Sequence, residues 1–305
     1  MKYNTIFRKD KTNKKTLSIE ILFIINPNSG HKNGADVIEL IPKYLDENKF
    51  KYSYKLTNHA KHAIEIAAKA AKENIDIVVA VGGDGLVNEV FQSLVNTNVL
   101  FSIIPKGSGN GVARSLGIDM NIKTALKNLN NLKSKKIDTV TFNGLPYLGI
   151  AGIGFDGFIA KEFSKRNKRG LMSYIKVFLK HYKDFKCSKY TISCNNELHE
   201  IDAFIVAIAN TQQYGNNAYI APRANIMDGM LDLVIVKKHS KWLLPILLYK
   251  GFTKTLHKSK YVEYIKSKKF VIKTNYKVAH LDGEPMNSEK ENIIEVLTLS
   301  LNILS

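Results

Sequence analysis

The sequence predicts an α/β domain with an open parallel sheet, followed by an antiparallel, β-rich domain of the sandwich type. In the first part, apolar strands alternate with helical segments, which is the pattern of a parallel sheet covered on both faces. Beyond residue 138, hairpin patterns replace this alternation. We therefore expect an α/β nucleotide-binding domain over 1–138 and a β-rich lipid-substrate domain over 139–291, with the tail 292–305 able to return to the first.

Strands and helices of the first domain follow each other in a regular order. The predicted strands are 21–25, 50–56, 75–81 and 99–104, and the predicted helices are 35–48, 60–73 and 86–95. Pro42 must kink the first helix or reset its start, because proline lacks an amide hydrogen. Asn58 is the expected N-cap of the second helix. The strand at 50–56 alternates polar and apolar residues, so we expect it at the periphery of the sheet.

Hairpins dominate the second domain. The dipeptide Asn143-Gly144 separates two short apolar runs, which predicts a tight two-residue turn. A second hairpin is expected around 195–197. Further strands are predicted at 231–236, 270–274 and 293–299, and helical stretches at 170–185 and 241–257.

Composition limits the class of protein. The 305 residues contain no run of about 18 apolar residues, so a transmembrane helix is not expected. Cys187 and Cys194 are the only cysteines, which argues against a disulfide framework and indicates a cytoplasmic protein. The formal net charge of +18 suggests an anionic partner, although a lysine-rich composition alone could also produce it. We recognise no nucleic-acid-binding module and expect no nucleic acid partner.

Three glycine-rich turns, each directly after a strand, carry most of the functional information. They are Asn26–Gly30, Gly82–Gly85 and Gly107–Gly111. Glycine lets a phosphate approach backbone amides, and a helix that starts at such a turn favours an anion. One turn alone could be an ordinary βα connection, but three at one sheet edge predict a nucleotide site. Asp84 could reach a phosphate-bound Mg²⁺, and Lys32 and Arg114 could contact phosphate.

Together these turns resemble the diacylglycerol kinase catalytic family, which includes bacterial lipid kinases and the sphingosine and ceramide kinases. Later segments extend the resemblance. Residues 152–156 are similar to the family's Gly-x-Gly-Phe-Asp segment, 228–232 to its Asp-Gly-x-Leu-Asp segment, and 282–284 to its Asp-Gly-Glu segment. The motifs occur in order over roughly residues 20–290.

This resemblance implies roles for particular residues. The ATP site would be lined by Asn26, Pro27, Asn28, Ser29, Gly30, Thr57, Gly82, Gly83, Asp84, Gly85, Leu86, Val87, Asn88 and Ser108. A structural Mg²⁺ would be held by Asn225, Asp228 and Met230, partly through backbone carbonyls. The catalytic base would be Asp282 or Glu284, and the resemblance leaves that choice open. Leu86 stands where the family usually has threonine, so a hydroxyl near the phosphates is missing.

Two basic segments suggest contact with a membrane. In 161–186 and 237–260, lysines and arginines alternate with apolar residues at helical spacing. The apolar residues could instead pack as core, with the lysines simply solvated. We expect an anionic membrane surface as a partner, on the inner face of the membrane, and leave a homodimer open.

The expected function is an ATP- and Mg²⁺-dependent lipid kinase that phosphorylates a primary hydroxyl. Diacylglycerol, a sphingoid base, ceramide and phosphatidylglycerol all offer such a hydroxyl, and the sequence does not choose among them. A soluble NAD kinase is one alternative, since Gly-Gly-Asp-Gly alone does not exclude it. A non-catalytic lipid- or nucleotide-binding regulator is another, favoured only by Leu86.

Overall fold

The strands form one continuous sheet in the computed structural model, which describes residues 18–30, 34–166 and 170–305. In chain order they are β1 (Ile19–Ile25), β2 (Phe50–Leu56), β3 (Ile77–Gly82), β4 (Leu100–Pro105), β5 (Ser134–Phe142), β6 (Leu145–Tyr147), β7 (Ile150–Gly154), β8 (Ser188–Cys194), β9 (Glu197–Ala209), β10 (Leu231–Lys237), β11 (Val262–Ser267), β12 (Lys269–Thr274), β13 (Val278–Leu281), β14 (Glu284–Asn287) and β15 (Glu291–Leu304). The main path of neighbouring strands is β14-β13-β7-β9-β8-β12-β15-β4-β3-β1-β2. The predicted fold class, a mixed α/β protein with a C-terminal β-rich part, is confirmed.

Helices connect the parallel strands and cover the β-rich part. They are α1 (Ile41–Tyr44), α2 (His62–Lys72), α3 (Asp84–Gln92), α4 (Gly111–Ser115), α5 (Ile122–Leu129), α6 (Phe155–Ser164), α7 (Leu171–Tyr182) and α8 (Leu244–Phe252). The single helix expected over 35–48 is instead a 3₁₀ turn at Gly34–Val37 followed by α1. Pro42 lies in the first turn of α1, where its missing amide costs nothing, so it resets the helix start. Across the described residues, no helix is long and apolar enough to span a membrane.

Strands β1, β3 and β4 of the parallel part are buried on both faces, as their apolar sequences predict. In β1, Leu22 and Ile24 pack into one core cluster, while Phe23 and Ile25 pack into another on the opposite face. Burying each such side chain stabilises the fold by about 2 kcal/mol. β1 lies between β2 and β3, and β3 pairs with β4, all in parallel. β2 is the edge strand of this part, as predicted.

The predicted N-cap of α2 is wrong. Lys61 precedes the helix with φ of 67°, and no side chain of its own segment caps it. Glu89 of α3 does so instead, since its carboxylate accepts the amides of Lys61 at 2.9 Å and Ala63 at 3.3 Å. The amide of Asn58 donates to His62 Nδ1 at 3.1 Å. The negative charge of Glu89 also suits a helix N-terminus better than a neutral amide.

The last strand joins the two parts of the sheet. β15 runs antiparallel to β5 along most of its length, and its Ile303 also lies opposite Phe101 of β4 in parallel. Buried Asp138 fixes the bulge between them, because its carboxylate accepts the amides of Leu299 and Gly229, each at 2.7 Å. A division of the chain at residue 138 stays a prediction, since β5 crosses that point without a break.

The β-rich part is antiparallel, and both predicted hairpin turns are present. Asn143 and Gly144 have φ of 49° and 81°, the left-handed values that a tight Asn-Gly turn requires. Asn195 and Asn196 make the equivalent turn between β8 and β9. β9, the second strand of this hairpin, also pairs with β7 and β10 and therefore lies inside the sheet.

Candidate active site

The second and third glycine turns touch through their backbones. They follow β3 and β4, which are parallel neighbours, so both turns lie at the same edge of the sheet. A Cβ on Gly107 would lie only 2.4 Å from Gly83 Cα, and one on Gly83 would lie 3.1 Å from Gly107 Cα. A side chain at either position would force the turns apart.

The first glycine turn is held by its own polar side chains. Asn26 Oδ1 accepts the amide of Asn28 at 2.9 Å, and the Ser29 hydroxyl donates to the Asn26 carbonyl at 2.8 Å. Gly30 has φ of 81° and lies against the side chain of Lys106, which follows β4. This contact brings the first turn beside the third. Pro27 lies in the same turn, and the amide of Thr57, just beyond β2, donates to Ile25 of β1 at 2.9 Å.

The third glycine turn is built around Asn110. This residue adopts φ of 50°, and its side-chain amide both accepts the Gly107 N–H and donates to the Gly107 carbonyl, each at 2.9 Å. Ser108 is exposed at its tip. Arg114 Nε donates to the Gly109 carbonyl at 3.2 Å, so this guanidinium helps to shape the turn. Lys32 lies outside the described residues.

Asp84 connects the second turn to the third. One of its oxygens accepts the Val112 amide at 3.4 Å, and the other faces Gly109, where a Cβ would come within 3.0 Å. Burial and, second to it, the charge of Asp282 together raise the pKa of Asp84 from 3.8 to about 6, against the lowering effect of the backbone amides of 110–112.

The carboxylate of Asp282 accepts hydrogen bonds from three backbone amides. Its Oδ1 accepts from Gly149 at 2.8 Å and Ile150 at 2.9 Å, and its Oδ2 accepts from Leu148 at 2.9 Å. Burial raises the pKa of Asp282 even though these three bonds favour the charged form. The residue itself has φ of 50° and lies in the turn between β13 and β14. Asp282 thus ties that turn to the start of β7.

Glu284 differs from Asp282 in having a free carboxylate. It is exposed and forms no hydrogen bond or ion pair within the described part of the chain. A Cβ built on Gly85 would lie 3.7 Å from Glu284 Oε1, so this carboxylate lies beside the N-terminal turn of α3. Of the two predicted candidates for the base, Glu284 is the one with an uncommitted oxygen near the glycine turns.

A buried histidine that sequence reasoning missed supports this acidic turn. His280 is 3% exposed, and its Nδ1 accepts the amide of Gly283, between the two acidic residues, at 3.2 Å. Its proton must then be on Nε2, which lies 3.4 Å from Asp156 Oδ2. The Tyr214 hydroxyl donates to the same oxygen at 3.0 Å. The sequence signal was a histidine two residues before Asp-Gly-Glu, but histidine at that spacing alone indicates nothing specific.

Three further residues predicted for the ATP site have buried side chains. Leu86 and Val87 are 6% and 2% exposed and belong to the core beneath β3. Leu86 covers Gly82, where a Cβ would meet its Cδ2 at 2.7 Å. These two residues can offer only backbone to a nucleotide. Asn88 is also buried, and its Oδ1 has no hydrogen-bond partner among the described residues.

The turn predicted to hold Mg²⁺ already contacts a positively charged side chain, that of Lys266 on β11. Asn225, Asp228 and Met230 lie close together, since Asp228 Oδ1 accepts the Met230 amide at 3.1 Å and the Asp228 amide donates to the Asn225 carbonyl at 3.3 Å. Asp228 Oδ2 is 2.6 Å from Lys266 Nζ, which also lies 3.6 Å from buried Asp232. The oxygen donors suit Mg²⁺ chemically, but a cation at Asp228 would have to displace Lys266. That these residues hold Mg²⁺ stays a prediction.

Comparison with known proteins identifies both parts of the chain. Residues 20–142 match the family described as "Diacylglycerol kinase catalytic domain", and residues 149–305 match "YegS C-terminal NAD kinase beta sandwich-like domain". An uncharacterized protein from Synechocystis sp. is 29% identical over 231 residues, which are 71% of this chain, and the match spans only 53% of that longer protein. The diacylglycerol kinase of Bacillus subtilis is 27% identical over 220 residues, covering 70% of this chain and 73% of its own length.

A solved structure agrees with this result at the level of the fold. The crystal structure of a diacylglycerol kinase from Bacillus anthracis superposes with a TM-score of 0.73 at 22% identity, over 95% of this chain and 98% of that one. The second family match covers just over half of the chain, and the two matches leave little of it outside. The chain therefore belongs to the lipid kinases in which a diacylglycerol kinase catalytic domain is followed by a YegS C-terminal NAD kinase beta sandwich-like domain.

Proposed function

We propose that this lipid kinase transfers the γ-phosphate of ATP to the primary hydroxyl of a membrane lipid, with diacylglycerol as the first acceptor to test and a sphingoid base as the second. The observation that carries this proposal is the position of Glu284. Its free carboxylate lies beside Gly85, where the second glycine turn enters α3. A base is thus next to the backbone that would receive the phosphates.

The glycine turns support nucleotide binding. Gly83 and Gly107 approach so closely that a side chain at either position would push the second and third turns apart. Amides at such turns and at the start of α3 favour an anion. Buried Asn88 offers an acceptor that no described residue satisfies. These features suit the phosphates of ATP without requiring the P-loop lysine that the chain lacks.

We propose that Mg²⁺ binds together with ATP. When bound, it would neutralise charge that develops on the transferred phosphoryl group. Asp84 is the carboxylate between the second and third turns, and a nearby cation would favour its ionised form over the protonated one. We propose Asp84 as the residue that holds this ion.

The acidic turn supplies the proton acceptor in this proposal. Glu284 would take the proton of the attacking lipid hydroxyl as its oxygen bonds to the γ-phosphorus and the bond to the β-phosphate oxygen breaks. Asp282 would position the turn through its three amide bonds to 148–150. His280 would hold the Gly283 amide between the two acidic residues. Most of the rate would come from positioning and charge neutralisation.

A water-insoluble acceptor requires a membrane or micelle to present it. The lysines of 161–186 and 237–260 are the predicted contacts with an anionic surface, although Lys168 and Arg169 lie outside the described residues. Long-chain acceptors with a primary hydroxyl at the headgroup level would then meet Glu284 from the β-rich side. The family description favours diacylglycerol as the first acceptor to test.

The decisive experiment measures ATP consumption with Mg²⁺ and vesicles that contain diacylglycerol, a sphingoid base or ceramide in turn, with NAD in solution as the fourth acceptor. We expect turnover with one lipid and a loss of about a hundredfold or more in Glu284→Gln, the range typical of a general base. Glu289→Gln is the matched control, since Glu289 is equally exposed but follows β14. Turnover with NAD alone would move the activity to a soluble acceptor, and ATP binding without turnover would favour a regulator.

A further inference from the structure

Five large apolar side chains are exposed on one segment of the β-rich part: Leu248, at 38%, and four others that share a helix face. Trp242, just before α8, is 90% exposed, and on α8 the exposed fractions are 52% for Ile246, 68% for Tyr249 and 46% for Phe252. Their spacing of four, three and three residues places them along one helix face. The opposite face is anchored, because Leu247 packs into a core cluster beneath it. This arrangement presents an apolar ridge to the outside.

The segment that carries this ridge is basic. Residues 237–260 contain seven lysines and no aspartate or glutamate: Lys237, Lys238, Lys241, Lys250, Lys254, Lys258 and Lys260. Lys237 pairs with Glu263 at 2.7 Å, and Lys254 lies over the Tyr219 ring at 4.5 Å. Lys238, Lys241 and Lys258 of the same segment are exposed. A tryptophan and a tyrosine among lysines are typical of a segment that lies in a membrane interface.

The ridge is connected to the candidate active site by one loop. The carbonyl of Gly251 in α8 accepts the Tyr219 amide at 3.2 Å. The same loop contains Tyr214, which bonds to Asp156, and Gly215, which packs against Gly109 of the third glycine turn. This loop therefore joins α8 to the third glycine turn of the candidate active site.

The other basic segment contributes less apolar surface. The apolar residues of α7 mostly face inward, where Val177 and Tyr182 are buried among aromatic side chains of α6 and β9. Among the described apolar side chains of α7, only Met172 and Leu179 are strongly exposed, at 67% and 49%. The Tyr182 hydroxyl bonds to His239 at 2.5 Å, so this segment adjoins 237–260 and extends its basic border.

We infer that residues 237–260 form a membrane-insertion surface whose occupant is a bilayer rich in anionic lipid. Trp242, Ile246 and Tyr249 enter the headgroup region, and the flanking lysines contact lipid phosphates. Each lysine near such a surface strengthens binding by about fivefold. This inference rests on the proposed lipid acceptor and adds the surface through which the enzyme reaches it.

The chain contains a built-in reporter for this surface, because Trp242 is its only tryptophan. The experiment records tryptophan emission while vesicles of phosphatidylglycerol and phosphatidylcholine are added, with pure phosphatidylcholine vesicles for comparison. We expect a blue shift with the anionic vesicles and a much smaller one with the neutral vesicles. Vesicle sedimentation of the full chain gives an independent affinity.

Ile246→Glu tests insertion while it leaves the reporter in place. We expect it to weaken binding to anionic vesicles, measured by sedimentation, by about tenfold. The substitution places a charge among the apolar side chains that the membrane would bury. Leu198→Glu is the matched control, because Leu198 is 64% exposed on the β8–β9 hairpin and should have no effect. Equal binding of the two variants would overturn the inference, and so would binding without a blue shift, which indicates surface adsorption alone.

Two further outcomes would also overturn it. A blue-shifted emission without vesicles that reverses on dilution would show that a second copy of the chain covers the ridge. An absence of binding to any vesicle would remove the membrane as occupant. Turnover of diacylglycerol in detergent micelles does not require this surface, so a failure here would be distinguishable from a failure of the proposed kinase activity.

Discussion

Asp84 at the start of α3 interacts with Asp282 in the turn between β13 and β14, and the charge of Asp282 helps to raise the pKa of Asp84 to about 6. The larger cause is burial of Asp84 itself. Because folding raises this pKa above its ordinary value of 3.8, the folded chain holds the proton more tightly than the unfolded chain. The stabilisation from that proton is complete below the ordinary value and is lost as the pH rises through the folded value.

Replacement of Asp84 by asparagine should therefore stabilise the fold at high pH. We expect Asp84→Asn to raise the free energy of unfolding by about 1–2 kcal/mol above pH ~7 and to have little effect near pH ~4. Urea denaturation at three pH values measures this. Asp119→Asn is the control, since Asp119 is exposed and accepts a single amide at 2.8 Å. A variant less stable than the parent at high pH would contradict the role of burial and repulsion.

Substitutions of Asp282 and Glu284 should have different effects, because we propose that Asp282 positions the acidic turn and that Glu284 accepts the proton. Asp282→Ala leaves three backbone amides without their acceptor, and each unpaired buried donor costs about 1–3 kcal/mol. We expect its thermal midpoint to fall clearly, with activity falling as well. Glu284→Ala should lower activity at an unchanged midpoint, because Glu284 has no described partner to lose. Equal midpoints for the two variants would refute this division.

His280 should affect the turnover number more than the affinity for ATP. His280→Phe removes the acceptor of the Gly283 amide and should lower kcat about tenfold, with little change in the KM for ATP. His280→Asn should recover part of the loss, since its Oδ1 can replace Nδ1 as the acceptor. Tyr214→Phe removes a bond to Asp156 but leaves the Gly283 contact, so it should be milder. If His280→Asn were as impaired as His280→Phe, the amide contact would not be the cause.

Local patterns were sufficient to predict most of the elements. The apolar run of β1 predicted a strand buried on both faces, and the glycine turns predicted which edge of the sheet would carry the site. Pro42 correctly predicted a kink or a reset helix start, since α1 begins one residue before it. These predictions succeed because periodicity, proline and glycine act within a few residues of themselves.

The contacts that sequence reasoning missed join residues far apart in the chain. Glu89 caps α2 from another helix, 28 residues from Lys61. His280 contacts Asp156, which is 124 residues away, and Asp282 accepts hydrogen bonds from amides more than 130 residues away. No local pattern reports such pairings, since they depend on which turns the sheet brings together. The choice between Asp282 and Glu284 could be argued only after these bonds were known.

The contact between Lys266 and Asp228 allows a test of whether the turn at 225–230 needs a metal ion. Burial opposes its charge, but the hydrogen bond to Asp228 and the charge of Asp232 leave the pKa of Lys266 raised. The ammonium therefore supplies the positive charge that a Mg²⁺ would bring. We expect the thermal midpoint of the parent chain to be the same in EDTA and in Mg²⁺.

Lys266→Met should change that behaviour. It leaves Asp228 and buried Asp232 without a counter-charge, which should cost about 1–2 kcal/mol and lower the midpoint by several degrees in EDTA. Mg²⁺ should restore part of the loss, because the freed carboxylate and the nearby carbonyls are oxygen donors that it prefers. Lys269→Met is the control, since Lys269 pairs 3.6 Å from the exposed Glu295 and should matter little. A parent chain that melts lower in EDTA would instead show that a divalent ion binds this turn despite Lys266.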